Sequence, residues 1–409
     1  MGMDEEEDEF GLPSIASIRR KGKRLSKTKI RGSDPSSQNP NRFGNGNVAS
    51  STMASWSLDN GDLAEERAIP TYPSTRGSQK SEEKILRPQY KDILRDPANS
   101  LHLISHPPVP PGASVKELEA HSARITRINK FKKILQASTI NLPELREAAW
   151  SGLPPEVRAM SWQILLNYLP TSSDRRVATL ERKRKEYLDG VRQAFERPST
   201  TTQTSSNPGH SKTSSSGNGR GLDEAIWHQI AIDVPRTNPH LELYSYEATQ
   251  RSLERILYLW ALRHPASGYV QGINDLVSPF YQVFLAQYIS SPDIETGMDP
   301  GQLPRAVLDA VEADSFWCLS RLLEGIQDNY VHAQPGIQRQ VAALRDLTAR
   351  IDSRLARHME SEGVEFMQFS FRWMNCLLMR EVSVRNTIRM WDTYLVRTRT
   401  PTHSSWSFY

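Results

Sequence analysis

One arginine in this chain, Arg236, stands between a proline-rich turn and a long apolar segment, in the stretch Ile230-Ala231-Ile232-Asp233-Val234-Pro235-Arg236-Thr237. Pro235 fixes its own φ and biases Val234 towards extended geometry, so the backbone entering Arg236 is expected to be stiff. Asp233, three residues earlier, could accept backbone N–H groups in a turn or orient the guanidinium. A second polar stretch, Tyr269-Val270-Gln271-Gly272-Ile273-Asn274-Asp275, lies in an otherwise apolar segment. Helical spacing puts Gln271 and Asn274 on one face, and a glycine between them lets another backbone approach. Taken singly, the simpler readings are a loop salt bridge or helix cap for the first stretch and a buried polar network for the second.

Other chemistry is missing from the sequence. The glycine-rich stretches "GNGN" and "GNGRG" lack the Lys-Ser/Thr and the helix of a phosphate-binding loop. The histidines show no metal-ligand spacing, and no nucleophile elbow is present. Cys318 and Cys376 make neither a disulfide framework nor a metal set. The chain is therefore expected to bind no cofactor or metal of its own. A net charge of +4 over 409 residues gives no reason to expect a nucleic-acid partner.

The elements that would position these groups read as helices. Apolar residues recur every three or four positions in "VKELEAHSARITRINKFKKILQ", "PELREAAW", "EVRAMSWQILLNYL", "SLERILYLWALRH", residues 306–331 and 336–358, "EFMQFSFRWMNCLLM" and "VRNTIRMWDTYL". Ser252 is expected to cap one of them, Pro265 to stop it, and Pro279 to kink the next. The charged segment 174–196 suits a solvent-facing helix. Trp150, Trp162, Trp260, Trp317, Trp373 and Trp391 are expected in the core. No alternating strand pattern appears, so the fold class is all-α. Residues 1–114 read as a disordered, basic and polar arm, 115–139 as a leading helix, 140–396 as the folded domain and 397–409 as an irregular tail. The low-complexity stretch 198–221 reads as an insertion within that domain. The basic run 18–31 is either a solvated tail or a contact for nucleic acid, anionic membranes or an import receptor, of which peripheral association with anionic membranes is carried forward. No apolar stretch reaches membrane-spanning length and the amino terminus is acidic, so a cytoplasmic protein is expected.

Together the two polar stretches resemble the signature motifs of the TBC-domain GTPase-activating proteins for Rab-type small GTPases. I-x-x-D-x-x-R stands as Ile230, Asp233 and Arg236, and Y-x-Q-G as Tyr269, Gln271 and Gly272. A Trp-x-Gly turn followed by an Arg and a Trp stands as Trp150, Gly152, Arg158 and Trp162. The runs "WHQIAIDVPRTNPH" and "LERILYLWALRHPASGYVQGINDLVSPF" look like the fungal Golgi-type subgroup, and the resemblance covers about residues 140 to 395. It implies a multi-helix TBC domain and a Rab/Ypt partner in its GTP form, with GTP and Mg²⁺ held by that partner. It also implies a setting at Golgi or vesicle membranes. Arg236 would neutralise charge developing on the transferred phosphoryl group, which a planar, permanently charged guanidinium suits. Gln271 would orient the attacking water. Asp233 would hold the Arg236 loop. Arg158 would either support the same site or serve structure, and Asn274 would either meet the GTPase or belong to a structural network. A different class of reading is a Rab-binding scaffold with this fold and no activating power; a generic helical adaptor is a third.

The family continues with further helices after the "MWDTYL" region, whereas here the chain reads "VRTRTPTHSSWSFY". The C-terminal part is thus expected to be truncated, leaving apolar faces around Trp373 and Trp391 uncovered.

Overall fold

The computed structural model describes residues 85–106, 109, 112–195, 223–290, 293–296 and 298–397. The expectations for residues 1–84, for the insertion 198–221 and for the tail beyond residue 397 lie outside these. Among the described residues the structure is helical, with no strand beyond the isolated bridges Leu86–Ile289 and Thr139–Ser172.

In chain order the helices are α1 (Tyr90–Arg95), α2 (Val115–Leu135), α3 (Leu142–Ala149), α4 (Pro155–Leu165), α5 (Ser173–Phe195), α6 (Glu224–Asp233), α7 (Glu247–Arg263), α8 (Ile273–Ala286), α9 (Arg305–Gly325), α10 (Pro335–Ile351), α11 (Ser353–Ser361), α12 (Phe366–Asn375) and α13 (Val384–Val396). The centre is α9, which packs on α5, α7 and α8. In α8 every residue from Ile273 to Leu285 is buried, as expected of a helix apolar on all sides. Ser252 is not a cap but an interior residue of α7, whose N-cap is Tyr246; its hydroxyl donates to Ala248 O and meets Glu312. A smaller core of Ile337, Val341 and Met374 lies between α10 and α12.

Charge in this body is turned inward more than its sequence implies. Helix α5 is not simply solvent-facing: Arg184 donates from Nε (2.9 Å) and Nη2 (2.7 Å) to Asp314, and Arg176 is buried. Asp314 also accepts from Gln163 (2.9 Å) and Tyr168 (2.7 Å), and Glu312 accepts from Tyr187 and from Arg255 Nε. These two buried carboxylates of α9 thereby gather donors from α4, α5, α7 and the loop after α4. A buried carboxylate is tolerable only when its lone pairs are met in this way.

Asp392 of α13 forms a comparable clamp on α4. It is fully buried and accepts from Arg158 Nε (3.0 Å), Trp162 Nε1 (2.8 Å) and the Leu153 N–H (2.8 Å). Burial pushes its pKa up, and the Arg158 guanidinium opposes that shift. Around the clamp Trp162, Phe280 and Trp391 pack with ring centroids 5.4 to 6.3 Å apart.

Two expectations are corrected here. Residues 85–106 are not part of an unstructured arm. Arg87 N donates to Tyr288 O (2.8 Å), Ser290 N to Ile85 O (2.9 Å), and Ile93 and Leu101 are wholly buried. Their burial comes from a short helix and a 3₁₀ turn (Pro97–His102), which leave no regular apolar period to read. Trp162, Trp260 and Trp391 are buried, but Trp317 and Trp373 are only half-buried and Trp150 is 57% exposed. Helix α3 turns Leu145 and Ala149 inward, four residues apart, and Trp150 comes a further 100° round the helix.

Asp392→Ala strips the acceptor from a partly buried guanidinium, an indole N–H and a backbone N–H at once. It is expected to lower unfolding free energy by about 3–5 kcal/mol, with Asp392→Asn costing less, as measured by urea unfolding.

Candidate functional site

Helix α6 starts at Asp223, whose side chain accepts from the N–H groups of Ala225 and Ile226. It runs into a 3₁₀ turn, Val234–Arg236. Val234 is helical (φ −58°, ψ −47°), not extended as the proline after it suggested. Its side chain is wholly buried, and this packing outweighs a local preference that disfavours the helical region without forbidding it. Thr237 closes the turn: its N–H donates to Val234 O (3.0 Å) and its hydroxyl to Asp233 O (3.2 Å). Val234 and Thr237 face inward, and Arg236 is left exposed between them and solvent.

The second stretch is a turn, not a helical face. Helix α8 begins at Ile273, and its N-cap Gly272 has φ +107°, a left-handed conformation that only glycine adopts readily. Gln271 therefore precedes the helix and is exposed, while Asn274 is 3% exposed. The Asn274 side chain accepts from Gly272 N–H at 3.0 Å, a local bond that competes with helix continuation. A Cβ at Gly272 would lie 2.6 Å from Asn375 Nδ2 and 3.2 Å from Cys376 Sγ, so side chains, not a backbone, make the close approach.

The two stretches are bonded to each other at two points. The Tyr269 hydroxyl donates to Asp233 Oδ2 at 2.9 Å and lies 3.3 Å from Asn274 Oδ1. Asn274 Nδ2 donates to the Thr237 hydroxyl at 2.9 Å. Burial raises the Asp233 pKa, opposed by the Tyr269 hydrogen bond and by the charges of Arg236 and Arg380. Burial also raises that of Tyr269, with Asp233 adding to the shift, so this phenol stays a neutral donor. Asp275 is buried, accepts from Arg380 Nε at 2.7 Å and lies 3.7 Å from Cys376 Sγ. Burial and Asp275 push the Cys376 thiol up to about 12, which leaves it protonated.

Of the residues singled out from sequence, the structure brings Asp233, Arg236, Tyr269, Gln271, Gly272 and Asn274 into one cluster. Arg158 is not bonded to this cluster; it donates to Asp392 and to Leu153 O (2.6 Å). Asn274 is bonded to Gly272 and Thr237. Sequence reasoning missed Asn375, Cys376 and Arg380, which come from 100 or more positions along the chain. Among the described residues, the Arg236 guanidinium and the Gln271 amide make no hydrogen bond or ion pair, and no group of three or more His, Cys, Asp or Glu could hold a metal ion. No described helix is long and apolar enough to cross a membrane. The site is thus a hydrogen-bonded base carrying one uncommitted cation and one uncommitted amide.

Residues 155–406 match the family model of the Rab-GTPase-TBC domain. The GTPase-activating protein gyp1 of Schizosaccharomyces pombe is 46% identical over 350 residues, covering 85% of this chain and 64% of that protein. GYP1 of Saccharomyces cerevisiae is 47% identical over 297 residues, covering 71% of this chain and 43% of that protein. Human TBC1 domain family member 22B is 43% identical over 321 residues, covering 77% and 59%. The chain thus spans less than two thirds of the length of each of these relatives. The crystal structure of the Ypt/Rab-GAP domain of Gyp1p aligns with a TM-score of 0.58 and 48% identity, over 66% of this chain and 79% of that one.

Gly272→Ala must strain both its backbone and the packed Asn375 amide. It is expected to cost about 1–3 kcal/mol in urea unfolding. Gly268→Ala, with φ +60° but nothing within 4 Å of its Cβ, should cost less, roughly 1 kcal/mol.

Proposed function

Because this chain belongs to the Rab-GTPase-TBC domain family, and resembles the fungal Gyp1 members within it, we propose that it stimulates GTP hydrolysis by a Rab/Ypt-type small GTPase. The observation that carries this reading is the pair of exposed, uncommitted side chains, Arg236 and Gln271, on segments locked together through Asp233–Tyr269 and Thr237–Asn274.

The partner would hold GTP and Mg²⁺, and the chain would supply two groups in trans. Arg236 would enter the partner's pocket and donate to oxygens of the transferred phosphoryl group, where negative charge develops. Gln271 would accept from and donate to the attacking water and so fix its line of approach. A cation that is already exposed and held on a 3₁₀ turn needs little reordering before it acts, which preserves the gain. An arginine finger is worth ~10³–10⁵ in kcat for other small GTPases, or about 4–7 kcal/mol. Asp233, Tyr269, Asn274 and Thr237 would act only through the two groups they position. The setting would be the cytoplasmic face of Golgi or vesicle membranes, with the basic run 18–31 as a peripheral contact.

Phosphate release from a panel of GTP-loaded Rab proteins tests the reading. The parent chain should accelerate at least one of them. Arg236→Ala should lose ~10³-fold or more of that acceleration and Arg236→Lys most of it, with the helical circular dichroism signal unchanged. Gln271→Ala should lose about 10–100-fold. Binding of a Rab without acceleration would instead favour a scaffold with this fold.

A further inference from the structure

The turn that presents Gln271 is gripped from two sides. One grip is the Thr237–Asn274–Gly272 chain already described. The other comes from the end of α12. Asn375, its last residue, is 7% exposed and donates from Nδ2 to the Gln271 carbonyl at 3.1 Å. The amide orientation follows from chemistry, because the reverse would set Oδ1 against the carbonyl oxygen, acceptor to acceptor. Asn375 Oδ1 is buried and has no partner among the described residues. An amide kept in so dry a place with one end unmet is there for its other end.

The end of α12 is itself braced. The Asn375 carbonyl accepts from the Tyr330 hydroxyl at 2.6 Å, and Met374 O accepts from Asn329, which Gln340 holds in turn. Beyond it the backbone passes through Leu377 (φ +49°) and Leu378 (φ +63°), a left-handed conformation that bulky residues adopt only where their surroundings over-determine it. That turn leads on to Arg380, which binds Asp275. A Cβ at Gly272 would lie 2.6 Å from Asn375 Nδ2, so the amide seats against the turn only because a glycine stands there.

We infer that Asn375 is a positioning residue for Gln271, pinning its backbone carbonyl and so the direction in which its side chain leaves the turn. The inference rests on the reading of Gln271 as the group that orients water. It also divides the labour of the two fingers: Arg236 stands on a turn seated in the main core, whereas Gln271 is held in addition by the amide at the end of α12.

The test is GTP hydrolysis by a stimulated Rab, using the full chain with single and double substitutions. Asn375→Leu keeps the buried bulk and removes the amide, with its bond to Gln271 O and its contact with Cys376 Sγ; Asn375→Ala removes both amide and bulk. Each should lower the stimulated kcat about tenfold and leave KM within about twofold, because the Rab surface is still met but the water is aimed poorly. In a Gln271→Ala background, Asn375→Leu should cause no further loss. Val341→Ala loosens the smaller core between α10 and α12 without touching the turn, and should lower the thermal midpoint yet preserve kcat. The inference is overturned if Asn375→Leu and Asn375→Ala keep the parent kcat while Gln271→Ala is slow. It is equally overturned if Asn375→Leu costs the same factor with Gln271 absent, or if Val341→Ala loses kcat as steeply at the same loss of thermal midpoint. A Gln271→Ala chain as fast as the parent removes the reading beneath it and the inference with it. Should Asn375→Ala unfold, Asn375→Leu carries the comparison alone.

Discussion

The site depends on a small pairing between two turns. Tyr269 donates to Asp233, and Asn274 donates to Thr237, across 36 and 37 positions of sequence. Each bond contributes only about 0.5–3 kcal/mol net, the more where a carboxylate accepts. Their weight is geometric. They fix the end of α6 against the start of α8, so the backbone that carries Arg236 and Gln271 is held before any partner arrives. Breaking one leaves a buried or half-buried polar group unmet, and the cost of that is larger than the bond's own contribution.

Such a pairing needs a frame that does not yield. The frame is the apolar packing of α7, α8 and α9, fastened by buried carboxylates that gather donors from several helices. Asp314 and Glu312 join α9 to its neighbours, and Asp392 joins α13 to α4. Being ionic does not by itself make them stabilising, since burial works against the charge of Glu312 and Asp392. These carboxylates tie the helices together, because each accepts from donors on separate elements. The site is seated in that frame: Asn274 and Asp275 lie on α8, against the same packing that Phe280 shares with Trp162 and Trp391.

The helices of this frame were legible where their apolar residues repeat at helical spacing, as in α7 and α13. Arg236 and Gln271 were legible through the motif pattern around them. What was not legible depended on packing. Nothing local shows that Val234 would be helical, since the reason is its burial. Gln271 and Asn274 read as one helical face, but α8 begins only after the left-handed Gly272 that stands between them. Arg176 and Arg184 read as solvent-facing because charged residues usually are; their inward direction exists only once α9 supplies Asp314 and the strap at 85–106 supplies Asp96 and Leu94 O. Asn375 and Arg380 sat unremarked in an apolar run, because their partners are more than a hundred residues away.

The central claim is that this chain carries a cation and an amide into a nucleotide pocket that another protein provides. The most direct measurement is a structure of the chain bound to a Rab loaded with a transition-state analogue of GTP. The account predicts the Arg236 guanidinium and the Gln271 amide within hydrogen-bond reach, about 3 Å, of the terminal phosphoryl oxygens and of the water in line with them. A complex in which the Rab nucleotide faces another surface, with both side chains in solvent, would contradict it.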